Sequence, residues 1–130
     1  MRVAAVTFGT DVKVEFNLGD ANVDTMDKAI KAIDEIIYIG GATASALALQ
    51  EVRDVVVPLA RPDSHRVLMF ITDGMSNIGG PPKKLAKYLR EQENFEIYAI
   101  GKVAWQGFKT GLLEDFENVK CIKLLNGHSC

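Results

Sequence analysis

The 130-residue chain is 48% hydrophobic and 25% charged, enough for one globular domain with a core and too little for two. Its 15 Lys+Arg against 17 Asp+Glu leave a net charge of -2 with no dense basic run, so nothing marks a footprint for nucleic acid or a membrane surface. No apolar stretch approaches the roughly 20 residues that span a bilayer, and Met1-Arg2-Val3 leads straight into a strand pattern rather than a signal peptide.

Residues 2–8, RVAAVTF, are an almost unbroken apolar run, the pattern of a strand buried on both faces, and they end at Gly9-Thr10-Asp11. Val12, Val14, Phe16 and Leu18 then alternate with Lys13, Glu15 and Asn17, which predicts a strand with one face in water. The two make a hairpin whose second strand belongs at a sheet edge. From Val23 the apolar positions Val23, Met26, Ile30, Ile33 and Ile37 recur at helical spacing, and Gly40-Gly41 ends the helix. A second helix is predicted from about Thr43 through Leu47 and Val52 to Pro58.

Residues 67–77, VLMFITDGMSN, organise the rest. The apolar run reads as a central strand buried on both faces, with Asp73 at its carboxyl end and Gly74 permitting a sharp exit. In open α/β sheets that end is where ligands bind. The plainer alternative is that Asp73 only starts a turn. Pro81-Pro82 opens a third helix, with Leu85, Tyr88 and Leu89 on one side and Lys83, Lys84, Lys87 and Arg90 on the other. A strand over residues 95–100, a short helix over 108–116 and a strand over 119–125 complete the chain, with Trp105 placed after the first of them. Cys121 and Cys130 lack the spacing of a zinc site and leave a disulfide undecided, a buried thiol being the plainer reading of Cys121.

Strands alternating with helices predict one α/β domain over residues 1–130, with helices on both faces of a doubly wound sheet. Following chain direction, the loop at residues 40–45, the loop at Asp73-Gly74 and the hairpin tip at residues 9–11 arrive at one end. There the Thr43 hydroxyl and the Asp73 carboxylate are hard oxygen ligands of the kind that hold Mg²⁺. Thr43 as a helix cap is the competing reading.

The segment Gly40-Gly41-Ala42-Thr43-Ala44-Ser45-Ala46-Leu47-Ala48-Leu49, followed downstream by Thr72-Asp73-Gly74, resembles the von Willebrand factor type A domain, also called the integrin inserted domain. Its middle loop reads Gly-Gly-x-Thr-x-Thr/Ser-x-x-Ala-Leu, and its fourth strand ends in Thr-Asp-Gly. Residues 73–80, DGMSNIGG, are similar to the form in complement factor B and related extracellular multidomain proteins. The resemblance covers residues 2 to about 125. It implies a mostly parallel, Rossmann-like sheet with one antiparallel edge strand. It also implies a non-catalytic adhesion or protein-interaction module, extracellular or secreted, with no membrane insertion.

By that resemblance, Thr43 and Asp73 belong to the metal-ion-dependent adhesion site, Ser45 and Ser76 lie at the ligand surface, and the metal takes a carboxylate from a partner protein. The family's first central strand, ending Asp-x-Ser-x-Ser, and the helix after it have no counterpart in these residues. The expectation is therefore an incomplete site with little or no metal affinity, in a truncated domain or one completed by a partner strand. An intracellular type A scaffold is one alternative. A small nucleotide- or phosphate-binding enzyme is another, although Gly40-Gly41 follows a helix rather than a strand and matches neither phosphate-loop pattern. Neither Ser45 nor Ser76 has a nearby His for nucleophilic catalysis, since His65 precedes the central strand and His128 is in the tail.

Overall fold

The computed structural model describes residues 1–38, 40–72 and 78–100, together with the strand backbone at 101 and 120–123. Asp73, Ser76, Trp105, the helix expected over 108–116, His128, Cys130 and the Cys121 side chain lie outside the described residues.

Strands β1 (Ala5–Phe8) and β2 (Val12–Phe16) pair antiparallel, with a register shift between Ala5 and Val6. Strands β3 (Arg66–Thr72), β4 (Phe95–Gly101) and β5 (Lys120–Lys123) pair parallel in that order. Between them come α1 (Met26–Asp34), α2 (Ser45–Glu51) and α3 (Lys83–Glu91). The α/β alternation is as the sequence predicts. One sheet was expected; among the described residues the hairpin and the parallel strands are separate ladders.

Helix α1 is shorter than its apolar pattern. A 3₁₀ turn at Ala21–Val23 precedes it, and Thr25 starts it by accepting from the Lys28 amide at 3.4 Å. Asp27 in its first turn and Lys31 in its last both complement the helix dipole. Helix α2 widens into a π turn at Val52–Val56 and tightens into a 3₁₀ turn at Val57–Leu59, where Pro58 has no amide to continue the ladder.

The main core joins Leu49, Val52 and Val56 from α2 and its extension to Ala86 and Leu89 of α3, Phe70 of β3, and Phe95 and Ile97 of β4. Ala4, Val6 and Phe8 of the hairpin reach the same cluster. On the hairpin's other face, Val3 and Ala5 pack with Phe16, Val23, Ala29, Ala32 and Ile36. So α1 lies on one side of the hairpin and α2 and α3 on the other.

This arrangement corrects the reading of β3 as buried on both faces. Leu68 and Phe70 meet α2 and α3, but Val67, Met69 and Ile71 are exposed because no described helix covers their side. Tyr88 is also more exposed than its place beside Leu85 and Leu89 suggested; its hydroxyl donates to Glu93 at 3.1 Å. Arg66 donates to the Glu93 carboxylate at 2.9 Å and to its carbonyl at 3.0 Å, tying the start of β3 to the turn before β4. Asn94 makes that turn with φ 55°.

Candidate functional site

The hairpin tip is closed by the Gly9 amide donating to the Asp11 carbonyl at 2.9 Å. Against it lies the loop between α1 and α2. The Ala44 amide donates to the Gly9 carbonyl at 3.1 Å, and the Ala42 amide donates to the Thr10 hydroxyl at 3.3 Å. Both contacts need glycine. A Cβ on Gly9 would overlap the Gly40 carbonyl, and one on Gly41, already at φ 92°, would sit 2.6 Å from Thr10 Oγ1.

The same loop touches the chain just beyond β3. Ile78 donates its amide to the Thr43 carbonyl at 3.4 Å. Thr72, buried at the end of β3, and Ile78 flank the five residues that include Asp73 and Ser76. The hairpin tip, the Thr43 loop and the chain following β3 thus converge through backbone hydrogen bonds, as chain direction predicted.

Helix α2 begins at Ser45, with Ala44 in the cap position and no side chain capping it. Thr43 is therefore not the cap residue of that helix, which removes the competing reading of its presence. Ser45 is fully buried, and its Oγ has no hydrogen-bond partner among the described residues. An orphaned buried hydroxyl of this kind is costly to leave unmade.

Thr43 and Ser45 contribute neutral oxygen donors, the right class for a hard divalent cation. Among the described residues there is no group of three or more His, Cys, Asp and Glu that could hold a metal. The fit to such an ion is one of donor type, and it requires the Asp73 carboxylate to supply charge.

At the other end of the hairpin from its tip, Glu15 lies where the register shifts. Lys13 Nζ, 2.6 Å from one carboxylate oxygen, and the Thr7 hydroxyl, 2.7 Å from the other, hold the Glu15 carboxyl below its ordinary value. His65 stands before β3, away from this edge, with Nε2 3.2 Å from Glu96. The structure brings Thr43 and Ser45 against Gly9 and Thr10, which the sequence placed at this end as the hairpin tip without assigning them a contact. Their signal was present in Gly9-Thr10-Asp11 facing a Gly-Gly pair.

The family profile of the von Willebrand factor type A domain matches residues 1–120. Mouse Cochlin is 30% identical over 107 residues, covering 80% of this chain and 18% of that protein. The rat sushi, von Willebrand factor type A, EGF and pentraxin domain-containing protein 1 is 33% identical over 111 residues, covering 82% of this chain and 3% of that protein. The chain thus spans under a fifth of either relative. Among solved structures, proximal thread matrix protein 1 from the mussel byssus superposes with a TM-score of 0.81 at 27% identity, over 96% of this chain and 32% of the other. A further structure of that mussel protein, with zinc occupying its MIDAS motif, gives a TM-score of 0.65 at 33% identity, over 77% of this chain and 24% of the other.

Proposed function

The chain belongs to the von Willebrand factor type A family, and from that premise we propose that it is a non-catalytic protein-interaction module of an extracellular protein, binding its partner at the loop edge of residues 9–11 and 40–45. The observation that carries this reading is the convergence at Thr43, where Ala44 is bonded to Gly9 and the Thr43 carbonyl accepts from Ile78. Such an edge presents main-chain and hydroxyl groups on a rigid scaffold, which suits recognition.

Thr43 and Asp73 are the metal-site residues of this reading, with Mg²⁺ the natural ion for two hard oxygen ligands. Ser45 and Ser76 belong to the same edge. Thr43 and Asp73 would hold the ion, which would supply a positive charge for a partner's carboxylate. The chain's own part is to fix the Thr43 backbone through Ile78 and to hold the loop against the hairpin tip. With no Asp-x-Ser-x-Ser among the 130 residues, a single carboxylate gives weak affinity. The similarity to proximal thread matrix protein 1 supports an extracellular setting.

The test is a Mg²⁺ titration followed by amide chemical shifts. The reading expects millimolar Mg²⁺ to move the amides of residues 9–11 and 40–45 in the wild type and to leave them still in Asp73→Ala. Identical shifts in both proteins, or none in the wild type, would remove Asp73 from the site.

A further inference from the structure

Leu47 stands in the first turn of α2, is 36% exposed, and among the described residues belongs to neither core cluster. Its neighbours Ala46, Ala48 and Leu49 are buried. Core packing therefore does not account for a leucine at this position. Its close contact is with the chain that follows β3. Gly79, at φ 81°, approaches so near that a Cβ there would come 2.8 Å from Leu47 Cγ and 3.2 Å from Cδ2. Both lie inside carbon contact distance, so only glycine lets the chain rest on this side chain.

One residue earlier, the Ile78 amide donates to the Thr43 carbonyl at 3.4 Å. The apolar contact and the hydrogen bond thus join the same two segments: Thr43 and Leu47 at the start of α2, Ile78 and Gly79 on the approach to α3. The bond is long for an amide and a carbonyl and holds the loop poorly by itself. The leucine is the firmer element. On a helix its side chain is barred from the rotamer that swings into the preceding turn, so it offers a surface with few alternatives.

Gly80 provides the contrast. It has the same φ, 81°, but a Cβ there meets nothing within 4 Å. Two adjacent glycines share one backbone conformation, and only the first is pressed against a side chain. The left-handed backbone alone does not explain what Gly79 does.

We propose that Leu47 and Gly79 are positioning residues of the loop edge: their contact seats the Ile78 amide on the Thr43 carbonyl and so fixes the backbone from which the Thr43 hydroxyl serves the metal site. The role rests on the metal-site reading of Thr43. Neither residue is a ligand; Leu47 acts through Gly79 and Ile78.

Three measurements on the full chain separate positioning from stability. Amide exchange in chelator reads the Ile78 bond, a Mg²⁺ titration followed by the amide shifts of residues 40–45 reads the site, and thermal melts read the fold. Gly79→Ala and Leu47→Ala should each speed exchange at Ile78 about fivefold or more. Each should also raise the Mg²⁺ concentration that gives half the shift about threefold or more. Leu47→Met, which keeps the apolar bulk, should retain the wild-type values. Gly80→Ala, matched in backbone strain, and Val57→Ala, a loss of packing at the far end of the α2 extension, should lower the melting midpoint and change neither exchange at Ile78 nor the Mg²⁺ response.

Unchanged Ile78 exchange in Gly79→Ala and Leu47→Ala overturns the proposal. So does an equal effect of Gly80→Ala, which assigns the loosening to backbone strain. Faster exchange with an unchanged Mg²⁺ response overturns it too, since the contact then serves the fold alone. A wild type without any Mg²⁺ response removes the metal-site reading of Thr43, and exchange at Ile78 still decides whether Leu47 and Gly79 hold the loop.

Discussion

Phe8 and Phe70 stack at 5.2 Å between ring centroids and 15° between planes, although no ladder joins their strands among the described residues. The hairpin is held to the parallel strands by side chains and by the loop at residues 40–45 rather than by a continuous sheet. Phe70→Ala should cost about 3–5 kcal/mol, as for a fully packed Phe. Phe8→Ala should cost less, because Phe8 is only partly buried. A double-mutant cycle in urea should return a coupling of about 0.5–1.5 kcal/mol, and additive effects would show that the stack does not link the two ladders.

Gly41 and Gly80 separate backbone strain from collision. Both have positive φ, 92° and 81°, but a Cβ on Gly41 meets Thr10 Oγ1 whereas one on Gly80 meets nothing within 4 Å. Gly80→Ala should cost about 1 kcal/mol for the left-handed backbone alone. Gly41→Ala should cost about 1–2 kcal/mol more and loosen the Ala42 contact to Thr10, seen as faster amide exchange at residues 42–44. Equal costs at the two positions would place Thr10 elsewhere in solution.

The α/β alternation, the hairpin and the convergence of loops at Thr43 were legible because apolar periodicity and chain direction determine them. The exposed face of β3 was not. An unbroken VLMFI run states that both faces are apolar, but not which one the described helices cover; α3 follows the right-handed crossover onto the Leu68 and Phe70 side, leaving Met69 open. The start of α2 was missed by two residues, because Gly41 and Thr10 hold the loop open until Ser45. That shift is what makes Thr43 a loop residue rather than a cap. Asp73 and Ser76 rest on sequence and family resemblance.

Ser45 offers a contrast with ordinary buried hydroxyls. Its Oγ is enclosed without a partner, so Ser45→Ala should be neutral or stabilising by about 1–2 kcal/mol in metal-free buffer. A loss of more than about 1 kcal/mol would mean that the hydroxyl is hydrogen-bonded in solution.

Glu15 gives the hairpin a pH dependence of predictable sign. Lys13 and Thr7 lower its folded carboxyl below the ordinary 4.5. Its contribution is therefore complete above the unfolded carboxyl's titration and is lost as the pH falls through the folded value. Urea melts from neutral to acid pH should show wild type ahead of Glu15→Gln at neutral pH and level with it once the carboxyl is protonated. The difference should shrink in high salt, since Lys13 is exposed. A gap that persists at the acid end would assign the effect to packing.

The proposed metal-site reading of Thr43 and Asp73 is tested most directly by thermal melts of the chain in chelator and across a Mg²⁺ series. Stabilisation by an ion that binds only the folded state follows RT ln(1 + [Mg²⁺]/Kd), about 0.4 kcal/mol when Mg²⁺ equals Kd, or about 1–2 °C for a domain of this size. The account predicts a cooperative melt that shifts by no more than this at about 1 mM Mg²⁺, moves further at tens of millimolar, and shows no dependence in Asp73→Ala. A shift of several degrees at micromolar Mg²⁺ would mean a complete, high-affinity site, and no shift at tens of millimolar would mean no site at all; either contradicts it.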